Sequence, residues 1–221
     1  MTSVSQAVAD KRAADLDALY ADHKGDWMQT FTGRRFYPND PRVEDINIID
    51  IATGLANCCR FAGQCKRFYS VAEHAVLVSQ CVPAEHALAA LHHDDTEAYL
   101  GDVTRPLKHA MKVAEYAGWE KIVERFGVDR GGFFDELTTA YSHMEDATWR
   151  CIAEKFKLPF EMHPSIKEAD NSVLLAERDV LFDKDAGHWA IVAAPVKVRI
   201  RGLDPMAARQ LYLTRHQELS T

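Results

Sequence analysis

The sequence predicts an all-α protein, a single helical bundle with one short extended segment near residues 27–41. Three observations carry this. The 221 residues, 47% of them hydrophobic, are enough to bury one sizeable core and fit a single domain. From Asp45 to the C-terminus, apolar residues recur at helical spacing in one segment after another. Alternating large apolar residues are confined to 27–41. Residues 1–26 form an N-terminal helical extension and 27–221 the main domain in this reading.

Val8, Ala13, Leu16 and Leu19 lie at roughly helical spacing and predict an amphipathic packing helix that ends before Lys24-Gly25-Asp26. Trp27, Phe31 and Phe36 make the extended segment, closed by Pro38-Asn39-Asp40-Pro41. Ile46, Ile49, Ala52, Leu55 and Ala56 form the stripe of the next helix, capped by Asp45 and stopping near Phe61-Ala62-Gly63. Ser70 precedes a second helix through Val82, and Pro83 opens a third that runs unbroken over 84–100 and closes at Gly101. Residues 106–128 are helical, 127–134 with Gly131-Gly132 a flexible break, and about 136–156 helical again. After the Leu158-Pro159 loop, Ser165 caps a helix over 166–182, and the last amphipathic helix covers 205–219.

Twenty-six basic against 33 acidic residues give a net charge of −7, which argues against a broad cationic surface for a nucleic-acid polymer and leaves room for a small anionic ligand in a locally basic pocket. Cys58, Cys59, Cys65, Cys81 and Cys151 are odd in number and lack a paired CxxC arrangement, so they are expected as reduced, mostly buried thiols. The first thirty residues have no apolar h-region, and no apolar run approaches the ~18 residues a membrane span needs. A cytoplasmic protein with no membrane partner is expected. The HExxH, P-loop and Rossmann glycine motifs are absent.

The densest chemistry is LHHDDTEAYLGD at 91–102. On a continuous helix, His93 and Glu97 share a face and Asp94 lies about 100° round from His93, so one ion can touch His93 and Asp94 with Glu97 a turn away. Such a run can also be a solvated face with intrahelical pairs. His74, within the apolar VAEHAVLV at 71–78, is a partner ligand or a core histidine.

His74, the His93-Asp94 dipeptide and a distant helical Asp together resemble the H…HD…D pattern of the HD superfamily. SVAEHAVLVS at 70–79, LHHDDTEAYLGDVTRPLK at 91–108 and IKEADNSVLLAERDV at 166–180 are similar, in order and spacing, to its nucleotidase-like phosphohydrolases that act on deoxynucleotides. The resemblance runs from about Thr32 to Leu219 and is weakest over 115–147. It implies that His74, His93, Asp94 and Asp170 hold a divalent metal, and a mixed N/O set suits Mn, Co, Zn, Fe, Ni or Mg. Asp170 is preferred to Asp146 or Asp179 for its Lys-x-Ala-Asp setting.

By the same resemblance Glu97 orients or deprotonates the attacking water, alongside Asp94. Arg60, Lys108 and Lys167 contact phosphate, Phe61 stacks on a base and Asp102 meets the deoxyribose hydroxyl. Phe61 is alternatively core, and each lysine alternatively surface. His92 and Asp95 match no family ligand and are expected to support the ligands or lie at the surface. Arg34, Arg35 and Arg67 add positive charge close by in sequence.

The implied activity is metal-dependent hydrolysis of a (deoxy)nucleotide at the 5'-phosphate ester. The enzyme is then either a dNMP 5'-nucleotidase or a dATP-like dNTP triphosphohydrolase, and a homo-oligomer as its relatives commonly are. A catalytically degenerate nucleotide-binding HD module, and a cyclic-nucleotide or (p)ppGpp hydrolase, are the alternatives.

Overall fold

A computed structural model of the chain describes residues 3–126, 139–183, 187 and 189–221. The protein is mostly helical, and its one small sheet among the described residues pairs β1 (Met28–Gln29) antiparallel to β2 (Arg35–Phe36), with Met28 opposite Phe36. The predicted break over 127–134 and the start of the helix that follows it lie outside the described residues.

Helix α1 (Ser3–Leu19) forms as expected, but its packing stripe does not: Val8 and Leu19 are 64% and 69% exposed and Ala13 is open to solvent. It meets the body through an Arg35–Asp17 ion pair, and Tyr20, just past its end, is buried. Buried Asp50 accepts hydrogen bonds from the Thr30 hydroxyl and from the amide and hydroxyl of Thr32, tying the β1–β2 turn to α2 (Ile48–Asn57).

Asn47, not Asp45, caps α2 by accepting from the Ile49 amide at 2.8 Å. Asp45 is buried against His23 at 3.0 Å, so its oxygens are committed elsewhere. The helix stops at Asn57, short of the expected Phe61-Ala62-Gly63, because residues 58–60 turn back to pair with 69–71: Arg60 donates its amide to Tyr69 and Val71 donates to Cys58. Ser70 caps α3 (Val71–Ser79) through the Glu73 amide. Every residue of α3 is buried, Glu73, His74 and Ser79 included, so the helix is enclosed on all sides. The Glu73 carboxylate accepts the amides of Arg201 and Leu203 at 2.6 and 2.8 Å, pinning the strap that leads into α9 (Pro205–Leu219).

The helix expected over 84–100 is broken. A short 3-10 turn leads into α4 (Ala87–Leu91), residues 92–96 form tight turns, and α5 (Glu97–Leu100) resumes before Gly101 at φ 80°. The turn bonds run three residues back, Asp95 to His92 and Glu97 to Asp94. His92 and Asp95 are fully buried and bond to each other, and Tyr212 of α9 donates to Asp95 while His216 meets His92 Nε2 at 2.9 Å. These side-chain bonds hold the turn in place of the helical ladder. A surface position for His92 and Asp95 is therefore ruled out.

Beyond it, α6 (Arg105–Phe126) buries no residue, and α7 (Ala140–Phe156) ends on left-handed Lys157. Helix α8 (Pro164–Leu181) is capped by His163 through the Ser165 amide, two residues earlier than the expected Ser165 cap. One core lies where α2 and α3 pack on α9, the other where α3 meets α4 and α8. No described helix is long and apolar enough to cross a membrane. All five cysteines are free and half-buried, less enclosed than expected.

Candidate metal centre

Three elements converge on one point. His74 comes from the all-buried α3, His93 and Asp94 from the 92–96 turn, and Asp170 from the first half of α8. His74 Nε2 lies 3.5 Å from Asp94 Oδ2 and 3.3 Å from Asp170 Oδ1, and His93 Nε2 is 3.1 Å from Asp94 Oδ2.

The imidazoles are oriented by their other nitrogens. His74 Nδ1 is 2.6 Å from Glu177 Oε1, and His93 Nδ1 is 2.8 Å from the Ala90 carbonyl. A carbonyl only accepts, and so does Glu177, which is held ionised: burial raises it, but Arg60, His74 and Tyr69 bring it down to about 2. Both Nδ1 atoms therefore carry a hydrogen, which leaves Nε2 as the ring atom that faces the centre and takes either a proton or an ion there. Both Nε2 atoms are buried without a hydrogen-bond partner. Nitrogens so placed beside carboxylates are what a divalent ion requires, and the His74–His93–Asp94 group, its donor atoms within 4.8 Å of one another, can hold one.

Electrostatics agree. Burial favours neutral Asp94, yet His93, His74 and Arg60 hold it far below the usual carboxylate range; His74, His93 and Lys167 do the same for Asp170. Burial and Arg60 oppose a charge on His74, but Glu177 and Asp170 outweigh them and raise it to about 9. The same concentration of negative charge that attracts a proton to His74 attracts a metal, and the two compete for Nε2. Glu97, at the start of α5, is pushed well above its ordinary value by burial, Asp94 and Asp102, and its Oε2 is buried without a partner.

Of the remaining predicted residues, Arg60 and Lys167 contact this group. Arg60 is 8% exposed, with Nη1 3.4 Å from Asp94 Oδ2 and Nη2 3.3 Å from Glu177 Oε2. Phe61 and Ala62 adopt left-handed φ of 60° and 52°, a strained turn that Asp102 holds by accepting the Phe61 amide at 2.9 Å. The Phe61 ring meets Phe182 edge-on at 4.9 Å and Trp189 at 5.9 Å. Lys167 bonds Asp170 at 2.7 Å, whereas Lys108 bonds Glu145 of α7 at 2.7 Å and lies over the Tyr141 ring. Arg34, Arg35 and Arg67 are braces: Arg34 donates to the Glu44 carbonyl, Arg35 pairs with Asp17, and Arg67 donates to the Ile200 carbonyl.

Sequence reasoning missed Glu177, Tyr69, Tyr141, Phe182 and Trp189. For Glu177 a signal was present: 170, 173, 177 and 181 share one helical face, and Val173 and Leu181 are apolar, so an acid at 177 points inward with Asp170.

No family model matches the chain. It is 36% identical over 197 residues to YfdR, an uncharacterized protein of Escherichia coli (strain K12), covering 88% of this chain and 96% of that one. It is 31% identical over 208 residues to an uncharacterized protein of Rhodobacter capsulatus, covering 87% and 95% respectively. With that identity sustained along nearly the whole of both proteins, this chain belongs to the family of YfdR.

Proposed function

We propose that this chain is an HD-type metal-dependent phosphohydrolase that cleaves (deoxy)nucleotides at the 5'-phosphate ester, with Asp170 completing the His74, His93 and Asp94 site. The observation that carries the reading is the pair of imidazoles, His74 buried and His93 partly so, whose Nδ1 atoms are engaged by Glu177 and Ala90 and whose enclosed Nε2 atoms have no hydrogen-bond partner beside two carboxylates. When bound, a divalent ion (Mn, Co, Zn, Fe, Ni or Mg) supplies Lewis acidity toward a phosphate oxygen and lowers the pKa of water.

The chain's own groups divide the rest. Glu97, desolvated and beside Asp94 and Asp102, which hold it well above the ordinary carboxylate range, takes the proton of the attacking water. Arg60 and Lys167 bind phosphate oxygens from either side of the acidic group. Lys108 joins them by exchanging its Glu145 partner for substrate. Phe61, with Phe182 and Trp189 behind it, offers an aromatic wall for a base. Asp102 uses Oδ2 to fix the Phe61 turn and its second oxygen for the sugar hydroxyl.

The test is phosphate or tripolyphosphate release from a panel of dNMPs and dNTPs, with and without EDTA, for the natural chain and Glu97→Ala. Turnover that EDTA abolishes and that Glu97→Ala lowers by about 10²–10⁴-fold supports the reading. With cyclic nucleotides and (p)ppGpp added to the panel, turnover confined to those contradicts it in favour of such a hydrolase, and metal binding with no turnover of any nucleotide contradicts it in favour of a binding module.

A further inference from the structure

We infer that Glu177 is a positioning residue that couples divalent-cation binding at His74 to oxyanion binding at Arg60, so that each ligand raises the affinity for the other. The inference deepens the metal-centre reading above and rests on it.

Glu177 is fully buried on α8 and receives partners from separate parts of the chain. Its Oε1 accepts from His74 Nδ1 at 2.6 Å and from the Tyr69 hydroxyl at 2.7 Å, and its Oε2 faces Arg60 Nη2 at 3.3 Å. The other terminal nitrogen of Arg60 is 3.4 Å from Asp94 Oδ2. One guanidinium thus bridges a carboxylate of the metal group and the carboxylate that orients an imidazole of that group. Arg60 is also more than nine-tenths buried, and its Nε has no acceptor.

A dication in the centre acts on Arg60 twice. It takes the charge of Asp94 for itself, and by taking the place of a proton on His74 Nε2 it leaves the Nδ1 hydrogen a strong donor that keeps Glu177 at the imidazole. Arg60 is then a buried cation with weakened counter-charge beside new positive charge, an arrangement that is costly until an anion arrives. A tetrahedral oxyanion meets Nε and Nη2 together, the two donors that share one edge of the guanidinium, in the two-pronged manner arginine favours. Read in reverse, an anion on Arg60 releases Asp94 to the metal. The coupling is equal in both directions by linkage.

Free Mn²⁺ is measured by electron paramagnetic resonance during titration of the natural chain, Glu177→Gln and Arg60→Gln. Each titration is run with and without inorganic phosphate, correcting for Mn²⁺ held by phosphate in buffer. Phosphate is expected to raise the Mn²⁺ affinity of the natural chain by about fivefold or more. Glu177→Gln is expected to weaken Mn²⁺ binding by roughly 10–100-fold and to remove the phosphate effect. Arg60→Gln, which lifts a competing cation off Asp94, is expected to bind Mn²⁺ more tightly than the natural chain and to gain nothing from phosphate. Opposite signs in the two variants are not what a general loosening of the fold produces. Should Glu177→Gln not fold by circular dichroism, Arg60→Gln decides alone. Equal Mn²⁺ affinity with and without phosphate in the natural chain, or a phosphate effect that survives Arg60→Gln, overturns the coupling and leaves the metal centre standing. Absence of Mn²⁺ binding in the natural chain overturns both.

Discussion

His74 and His93 reach the centre by different supports, a buried carboxylate for one and a backbone carbonyl for the other. Removing either imbalances the site in a predictable way. His74→Ala deletes one Nε2 and leaves Glu177 without its imidazole partner, so metal binding measured by calorimetry is expected to disappear; Mn²⁺ affinity within threefold of the natural chain contradicts the assignment. Glu97→Gln, in contrast, keeps the surrounding volume and touches none of the metal-group atoms. It is expected to retain metal affinity while turnover falls by about 10²–10⁴-fold. Loss of both together would mark Glu97 as a ligand. At this scale His74, His93, Asp94 and Asp170 were legible because a His-Asp dipeptide and a resemblance single them out. Glu177 and Tyr69 were not, since what makes them matter is a contact between residues 108 apart in the chain.

The start of α3 was legible from Ser70 and the span of α9 from its periodicity, whereas α3 stops at Ser79, short of the expected Val82. The break between α4 and α5 was not. Periodicity treats His92 and Asp95 as interchangeable helix positions, whereas their burial against Tyr212 and His216 decides the local backbone. The exposed stripe of α1 failed for the opposite reason: spacing declares an apolar face but not what, if anything, covers it. Two predictions belong to these elements. A Cβ at Gly54 of α2 would sit 2.7 Å from the Ala98 carbonyl oxygen of α5, so Gly54→Ala is expected to destabilise by about 1–3 kcal/mol in urea unfolding and to move Glu97 with α5; unchanged stability would mean α5 can shift freely. Burial, then His92, holds the His216 imidazole below its ordinary value, while Asp95 opposes them. The unfolded chain therefore takes up a proton at His216 before the folded chain does. Stability from this source is full above about pH 6.5 and declines as pH falls below it. In EDTA, the drop in melting temperature from pH 7.5 to 5.5 should shrink in His216→Gln; an undiminished drop places the acid sensitivity elsewhere.

Across the whole molecule, an ion held as proposed by His74 of α3, His93 and Asp94 of the 92–96 turn and Asp170 of α8 would staple parts of the chain nearly one hundred residues apart. Such an ion binds the folded chain and not the unfolded one, so it adds stability by mass action. At a hundredfold excess over Kd the gain is about 2.7 kcal/mol, which corresponds to a rise of roughly 5–10 °C in Tm for a domain of this size. EDTA should reverse the rise, and a Tm indifferent to both additions would deny that metal bridges these elements. The mostly helical class followed from composition and period, because each helix is a local pattern. The convergence of three separated segments on one point is a property of the packed chain. Crystals soaked in Mn²⁺ and measured for anomalous scattering test that convergence most directly. The account predicts a single strong peak about 2 Å from the Nε2 atoms of His74 and His93, with Asp94 and Asp170 oxygens completing its contacts. A map with its peaks only elsewhere, or none at all under saturating Mn²⁺, contradicts it.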